Sequence, residues 1–272
     1  MPSSPNPFRH LVKEFEHDET MGIRVFSNFE DPAIPKDNWG MDMKMPDWLQ
    51  DVHNKFAGER CFIFGTGPSL IDQLPLLGDM DNEYTFTCNR MRNWQELPFT
   101  PWVHCTTEPA PFIAWGLGVA DRCDFPTAKN RIGCMWFPVR VKDWLWLPKA
   151  PDDLQVRWQG TFGLGDYLPP IPTAWASPLT ISQLALWMGF SKLYMLGCDT
   201  TQLGQAWDRE TGTTKVPRSI RSIIECAERI GRDVWRDGRE IWDCSGGTLT
   251  KEGVLPYKDL ASVVGDGAYV KL

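Results

Sequence analysis

The chain has no apolar run of the about 18 residues that a membrane-crossing helix needs, which excludes a helical membrane protein. Residues 1–13 lack the apolar centre of a secretory signal, so a cytoplasmic protein is expected. None of the eight cysteines stands in a C-x-x-C pair, which argues against a structural zinc site. Cys61, Cys88, Cys105, Cys134 and Cys198 fall inside apolar runs and read as buried, reduced thiols. Positive charge is not in excess either: the net charge is −7, which disfavours a broad electrostatic grip on nucleic acid and leaves only a local basic groove for that purpose. Histidine is scarce, and none follows His104. There is no internal repeat and no low-complexity tract.

What is present is enough for a core, since 42% of the 272 residues are apolar, a size that suits one large or two small domains. Fourteen tryptophans call for an explanation. Most are read as packing residues, with some left as stacking platforms for a base or a sugar ring. Residues 1–57 show weak periodicity and read as an N-terminal arm packed on the main body, closing with an amphipathic helix from Pro46 that ends at Gly58. Residues 58–272 read as a single domain. Strands are expected at 60–64, 84–88, 102–105, 131–137, 192–196 and 240–244, and helices at 69–77, 111–119, 179–188 and 219–237. Between them, residues 138–176 are rich in Trp and Pro and read as an insert or lid. Strands alternating with helices predict an α/β fold with a mostly parallel sheet flanked by helices.

The most informative segment is 61–70, Cys-Phe-Ile-Phe-Gly-Thr-Gly-Pro-Ser-Leu. An apolar strand runs into two glycines spaced by one residue, and Pro68-Ser69 then opens a helix. Glycine allows positive φ and close approach of the backbone to an anion, and helix-start N–H groups favour negative charge. A plain strand-to-helix turn has the same composition. The third glycine of a dinucleotide loop and the lysine of a P-loop are both missing. In an open α/β sheet, ligands bind beyond the carboxyl ends of the strands. The residues at those ends are Gly65, Thr66, Gly67, Pro68 and Ser69, then Asn89 and Arg90, then Glu108, then Asp199, with Ser177, Pro178 and Thr180 at a further helix start. Each also has a structural reading as a turn, cap or surface charge. His104, inside a strand, reads as a core histidine.

Three blocks occur in order: Ile63-Phe64-Gly65-Thr66-Gly67-Pro68-Ser69-Leu70, Thr87-Cys88-Asn89-Arg90, and Ser177-Pro178-Leu179-Thr180 leading to Leu196-Gly197-Cys198-Asp199. Over residues 58–250 the chain resembles the DUF115 or MptE-like superfamily of pterin pyrophosphokinases, which is related to bacterial sialyltransferases of the Campylobacter type and is frequent in phage genomes. The resemblance implies a Rossmann-like, GT-A-type fold that binds a nucleotide. Gly65, Thr66, Gly67, Pro68 and Ser69 would hold phosphate or ribose, and Asn89, Arg90, Ser177, Pro178 and Thr180 would complete the nucleotide site. The sialyltransferases carry a His general base after the matching strand and a tyrosine pair near the reacting phosphate. Here Thr200-Thr201-Gln202 and Ala206-Trp207-Asp208 stand there instead. A carboxylate must then accept the proton, and Asp199, Asp208 and Glu108 are the candidates.

Three readings follow. The first is a glycosyltransferase with a nucleotide-sugar donor and an optional divalent metal, its acceptor unspecified and a modified base in phage DNA among the options. The second is a pyrophosphokinase acting on a hydroxymethyl heterocycle with ATP. The third is a non-catalytic protein that retains the nucleotide fold.

Overall fold

The computed structural model describes residues 23–25, 50–78, 80–89, 91, 94–106, 128–134, 139–141, 145–147, 176–200 and 220–265. Arg90, Glu108, Asp208, the helix expected at 111–119 and most of the Trp-rich stretch lie outside the described residues.

The strands are β1 (Ile23–Val25), β2 (Arg60–Phe64), β3 (Tyr84–Cys88), β4 (Val103–Thr106), β5 (Asn130–Cys134), β6 (Val139–Val141), β7 (Leu145–Leu147), β8 (Lys192–Leu196) and β9 (Glu240–Asp243). Seven of them form one sheet in the order β7-β5-β4-β3-β2-β8-β9, and every pair is parallel. β1 and β6 form a separate antiparallel pair in which Ile23 faces Val141. The helices are α1 (Ser69–Gln73), α2 (Ser177–Trp187), α3 (Ile220–Arg236), α4 (Thr248–Lys251) and α5 (Leu260–Val264). This is the α/β arrangement with a parallel sheet flanked by helices that the alternation of strands and helices predicts.

Beyond their first residues, β2 and β8 are apolar and buried because both faces of the sheet are covered. In β2, Cys61 and Ile63 join one core while Phe62 and Phe64 join the other, as the two-residue period of a strand requires. β8 divides likewise, with Leu193 and Met195 on the first side and Tyr194 and Leu196 on the second. The first core is roofed by α2 and α3. α2 is buried nearly all round, whereas α3 turns the apolar stripe Ile223, Ala227, Ile230 and Val234 inward. The second core packs under α1 and α5 through Leu70, Leu77, Leu260 and Val263.

Residues 50–58 lie against the first core. Phe56 stacks on Phe190 at 5.0 Å between centroids, and the backbone N–H groups of Asn54 and Phe56 donate to Trp187 O and Met188 O at the end of α2. His104 is a core histidine, as expected, hydrogen-bonded to Thr87 Oγ1 at 3.0 Å and Thr106 Oγ1 at 3.3 Å. The β1–β6 pair and β7 add strand structure that the sequence pattern did not indicate. Strands of three residues are too short to show a period.

A two-point ion pair closes the bottom of the sheet. Arg60 donates to Glu83 Oε1 at 2.6 Å and Oε2 at 3.2 Å, and also to Val263 O at 3.2 Å. The two side chains are only 14% and 16% exposed, so the pair is better shielded than an ordinary surface ion pair. Glu83→Gln keeps the shape and removes the charge. It is expected to cost about 1 kcal/mol, seen as a lower urea midpoint with unchanged m-value.

Candidate functional site

β3, β2 and β8 are neighbours in the sheet and run parallel, so their carboxyl ends meet at one edge. The loops that leave those ends and the start of α2 enclose an open cavity of about 280 Å³. Gly65, Thr66, Gly67 and Pro68 line it from the β2 loop and Asn89 from the end of β3. Asp199 and Thr200 line it from the β8 loop, and Ser177 and Pro178 from α2. Met195, Ile223 and Leu249 make its apolar wall. The edge rule for α/β sheets therefore brings most of the expected residues together. Two expected residues stand back from the cavity. Ser69 turns to Asp199, and Thr180 is buried in the first turn of α2 with its N–H on Ala176 O.

The glycines do a different job from the one expected of them. Neither Gly65 nor Gly67 has a positive φ; the loop glycine that does is Gly197, at +59°. A Cβ on Gly65 would strike Gly197 O, and one on Gly67 would strike the Asp199 carboxylate. The Gly65 and Gly67 N–H groups donate to Leu196 O and Gly197 O, each at 2.7 Å. The β2 and β8 loops thus lie on each other backbone to backbone, and glycine is needed there for that contact. The helix-start N–H groups are also occupied. Ser69 N donates to Asp199 Oδ2 at 3.1 Å and Leu70 N to Gly67 O at 3.1 Å. An internal carboxylate sits where a bound anion was expected. In this loop Thr66 is the residue whose backbone N–H makes no intramolecular hydrogen bond among the described residues, and it faces the cavity.

Asp199 is 9% exposed. Its Oδ2 also accepts the Ser69 hydroxyl at 2.9 Å. Burial raises its pKa above the ordinary carboxylate value; the two Ser69 hydrogen bonds oppose that rise, and the Asp243 carboxylate adds to it. Burial likewise pushes the Cys198 thiol up, with Asp243 contributing, so this cavity-lining cysteine is a poor nucleophile. Two residues at the edge adopt left-handed backbone, Asn89 and Thr200, both with φ near +52°. Asn tolerates this, whereas a β-branched Thr does so only under strain. The Thr200 hydroxyl donates to Cys198 O at 3.0 Å, which helps hold the turn. Asn89 Nδ2 donates to Ser177 Oγ at 2.6 Å and so joins the β3 end to the α2 start across the cavity.

A second tier of residues braces the β8 loop. Gln73 donates to Cys244 O at 2.6 Å and accepts from Gly197 N at 3.2 Å. Buried Asp243 accepts from Ser245 N at 2.8 Å and Thr250 Oγ1 at 2.6 Å. Ser245 Oγ accepts from Cys198 N at 2.8 Å, and Thr248 N donates to Asp199 O at 2.9 Å. Sequence reasoning passed over these residues. The signal was available, because Asp243-Cys244-Ser245-Gly246-Gly247-Thr248 is also a strand end followed by glycines.

Among the described residues no group of three or more His, Cys, Asp or Glu is placed to hold a metal ion, and no helix is long and apolar enough to cross a membrane.

The sequence matches no protein-family model and no functionally curated protein. Among solved structures, the chain is similar to the sialyltransferase CstII from Campylobacter jejuni in complex with cytidine-5′-monophosphate. Identity is 13%, the TM-score is 0.44, and the match covers 75% of this chain and 87% of that one. It is also similar to the MAf glycosyltransferase from Magnetospirillum magneticum AMB-1, at 18% identity and a TM-score of 0.46. That match covers 71% of this chain and 33% of the larger protein. A mammalian sialyltransferase matches at 12% identity and a TM-score of 0.34, over 78% of this chain and 86% of that one. These neighbours are glycosyltransferases. At such identities and scores the likeness assigns no role to any residue of this chain.

Proposed function

We propose that the protein is a glycosyltransferase that takes its sugar from a nucleotide-sugar bound at the β2–β3–β8 edge. The observation that carries this reading is the cavity itself. Three parallel strand ends and a helix start converge on an open space of about 280 Å³, close to the size of small-ligand sites, with one apolar wall and one polar wall. The apolar side (Met195, Ile223, Leu249) suits a base or sugar ring, and the Asn89–Ser177 pair suits hydroxyl groups. The Thr66 N–H and hydroxyl suit phosphate. On this reading Arg90 supports the phosphate from beside Asn89, and a carboxylate among Asp199, Asp208 and Glu108 takes the acceptor's proton. The resemblance of the sequence blocks to the MptE-like superfamily, with its phage members, is of the same kind and adds to it.

A thermal-shift screen of nucleotides and nucleotide-sugars, with and without Mg²⁺ or Mn²⁺, tests the reading. A ligand at a hundred times its Kd stabilises the native state by about 2.7 kcal/mol. One nucleotide-sugar and its parent nucleotide are expected to raise the Tm, and Asn89→Ala is expected to weaken that ligand by about tenfold. A shift with ATP alone would move the assignment to a pyrophosphokinase. Silence across the whole set would leave a non-catalytic nucleotide fold.

A further inference from the structure

The polar wall of the cavity has an odd electrical character for a site meant to receive phosphate. Among the described residues that line it, Asp199 is the one with a formal charge, and that charge is negative. It also holds the Ser69 N–H that an incoming anion would otherwise use. A phosphoryl group placed against Thr66 would share the cavity with this carboxylate, and the two negative charges repel. Two outcomes relieve the conflict: the anion stays out, or the carboxylate takes up a proton.

We propose that anion binding in this cavity is coupled to protonation of Asp199, so that the site binds a phosphoryl group and one proton together. The proposal rests on the donor-site reading only for the identity of the natural ligand. The local geometry favours the protonated form. Asp199 is largely buried, and the edge of its carboxylate lies against Gly67, where a side chain would collide with it. Its titratable neighbours do not oppose that form. Asp243 on β9 disfavours a further negative charge, while Cys198 in the same loop, its thiol pushed up by burial, stays neutral and offers no opposing cation; Cys88 at the end of β3 lines the same cavity. α2, α3 and α4 present Ser177, Ile223 and Leu249 there, none of them titratable near neutrality. The Ser69 hydrogen bonds are what hold the ionised form in the empty site. A neutral Asp199 keeps an oxygen for Ser69 and presents an O–H, so the loop stays in place while the repulsion is removed. Asp199 is then a positioning residue, and the acceptor's proton goes to Asp208 or Glu108.

The test uses sulfate, which stays a dianion across pH 5–8 and so reports only on titration of the protein. Sulfate is titrated into ¹⁵N-labelled full-length protein at each pH, following amide shifts, with Thr66 expected among the residues that move. In the wild type, affinity is expected to fall with rising pH, approaching tenfold per pH unit above the ionisation of Asp199, as a one-proton linkage requires. Asp199→Asn is expected to bind with no such slope. Ser69→Ala, which removes a hydrogen bond to the ionised form, is expected to move the break to higher pH, and it serves also where Asp199→Asn fails to fold. An equal slope in wild type and Asp199→Asn overturns the proposal. So does an affinity independent of pH, a break unmoved in Ser69→Ala, or no sulfate binding at any pH. If sulfate binding is proton-linked but the nucleotide-sugar screen is silent, the donor reading falls and the proton-linked anion site stands.

Discussion

Gly67→Ala is expected to destabilise the protein by about 3 kcal/mol, the upper part of the range for overpacking a tightly packed site. The added methyl meets the Asp199 carboxylate, and at 2.6 Å it also meets Gly197 O, a backbone atom that cannot rotate away. Relief requires the β2 and β8 loops to separate. That breaks the hydrogen bonds from Gly67 N to Gly197 O and from Ser69 to Asp199. Both loops line the cavity, so the same substitution is expected to remove ligand binding along with stability. Gly78→Ala is the control. A Cβ there meets nothing within 4 Å, and the change is expected to fall within about 0.5 kcal/mol of the parent. Urea denaturation of the two variants separates the cases. A Gly67→Ala protein as stable as Gly78→Ala would mean that the two loops are not in contact.

The difference between these two glycines marks where the sequence stops being readable. β2 and β8 are found at the expected residues because each is a short apolar run with both faces buried, and β3 because its aromatic and β-branched residues alternate between polar-bounded ends. α3 is found because its apolar residues recur at helical spacing. These are local properties of the chain. Which loop lies across which is not local. Gly67 and Asp199 are separated by more than a hundred residues, and only the parallel β2–β8 pairing brings them together. From sequence, Gly65-Thr66-Gly67 reads as a loop waiting for an anion. In the fold the loop is already filled, by a carboxylate from the next strand. From sequence Asp199 reads as a candidate proton acceptor because it follows a strand, and in the fold it lines the cavity. Its hydrogen bonds to Ser69 show the part of its role that a strand-end rule does not carry. Gln73 acts through backbone groups of other segments, and such partners leave no spacing pattern. Asp243 acts on its own turn, through Ser245 N and the Thr250 hydroxyl.

Asp243→Ala is the substitution that should show how far this support reaches. The carboxylate is fully buried at the end of β9 and accepts from Ser245 N and Thr250 Oγ1. Alanine leaves both half-buried donors without this acceptor, and each such orphan costs about 1 kcal/mol at the low end of the range, so a loss of about 2 kcal/mol is expected in total. Asp243→Asn keeps one acceptor oxygen for Ser245 or Thr250 and is expected to lose about half as much. The second consequence is at the cavity. Ser245 holds Cys198 N, and the next residue along the β8 loop is Asp199. If the loop is braced from β9, Asp243→Ala weakens anion binding although Asp243 does not line the cavity. A double-mutant cycle with Ser69→Ala measures this directly, since residues acting on one loop are not additive. Coupling above about 0.5 kcal/mol in the binding free energy would place Asp243 behind Asp199 as part of the site's framework. Strict additivity would confine Asp243 to the stability of the β9 turn and leave the β8 loop supported by Gln73, Thr248 and the Gly65–Ser69 turn, independently of that carboxylate.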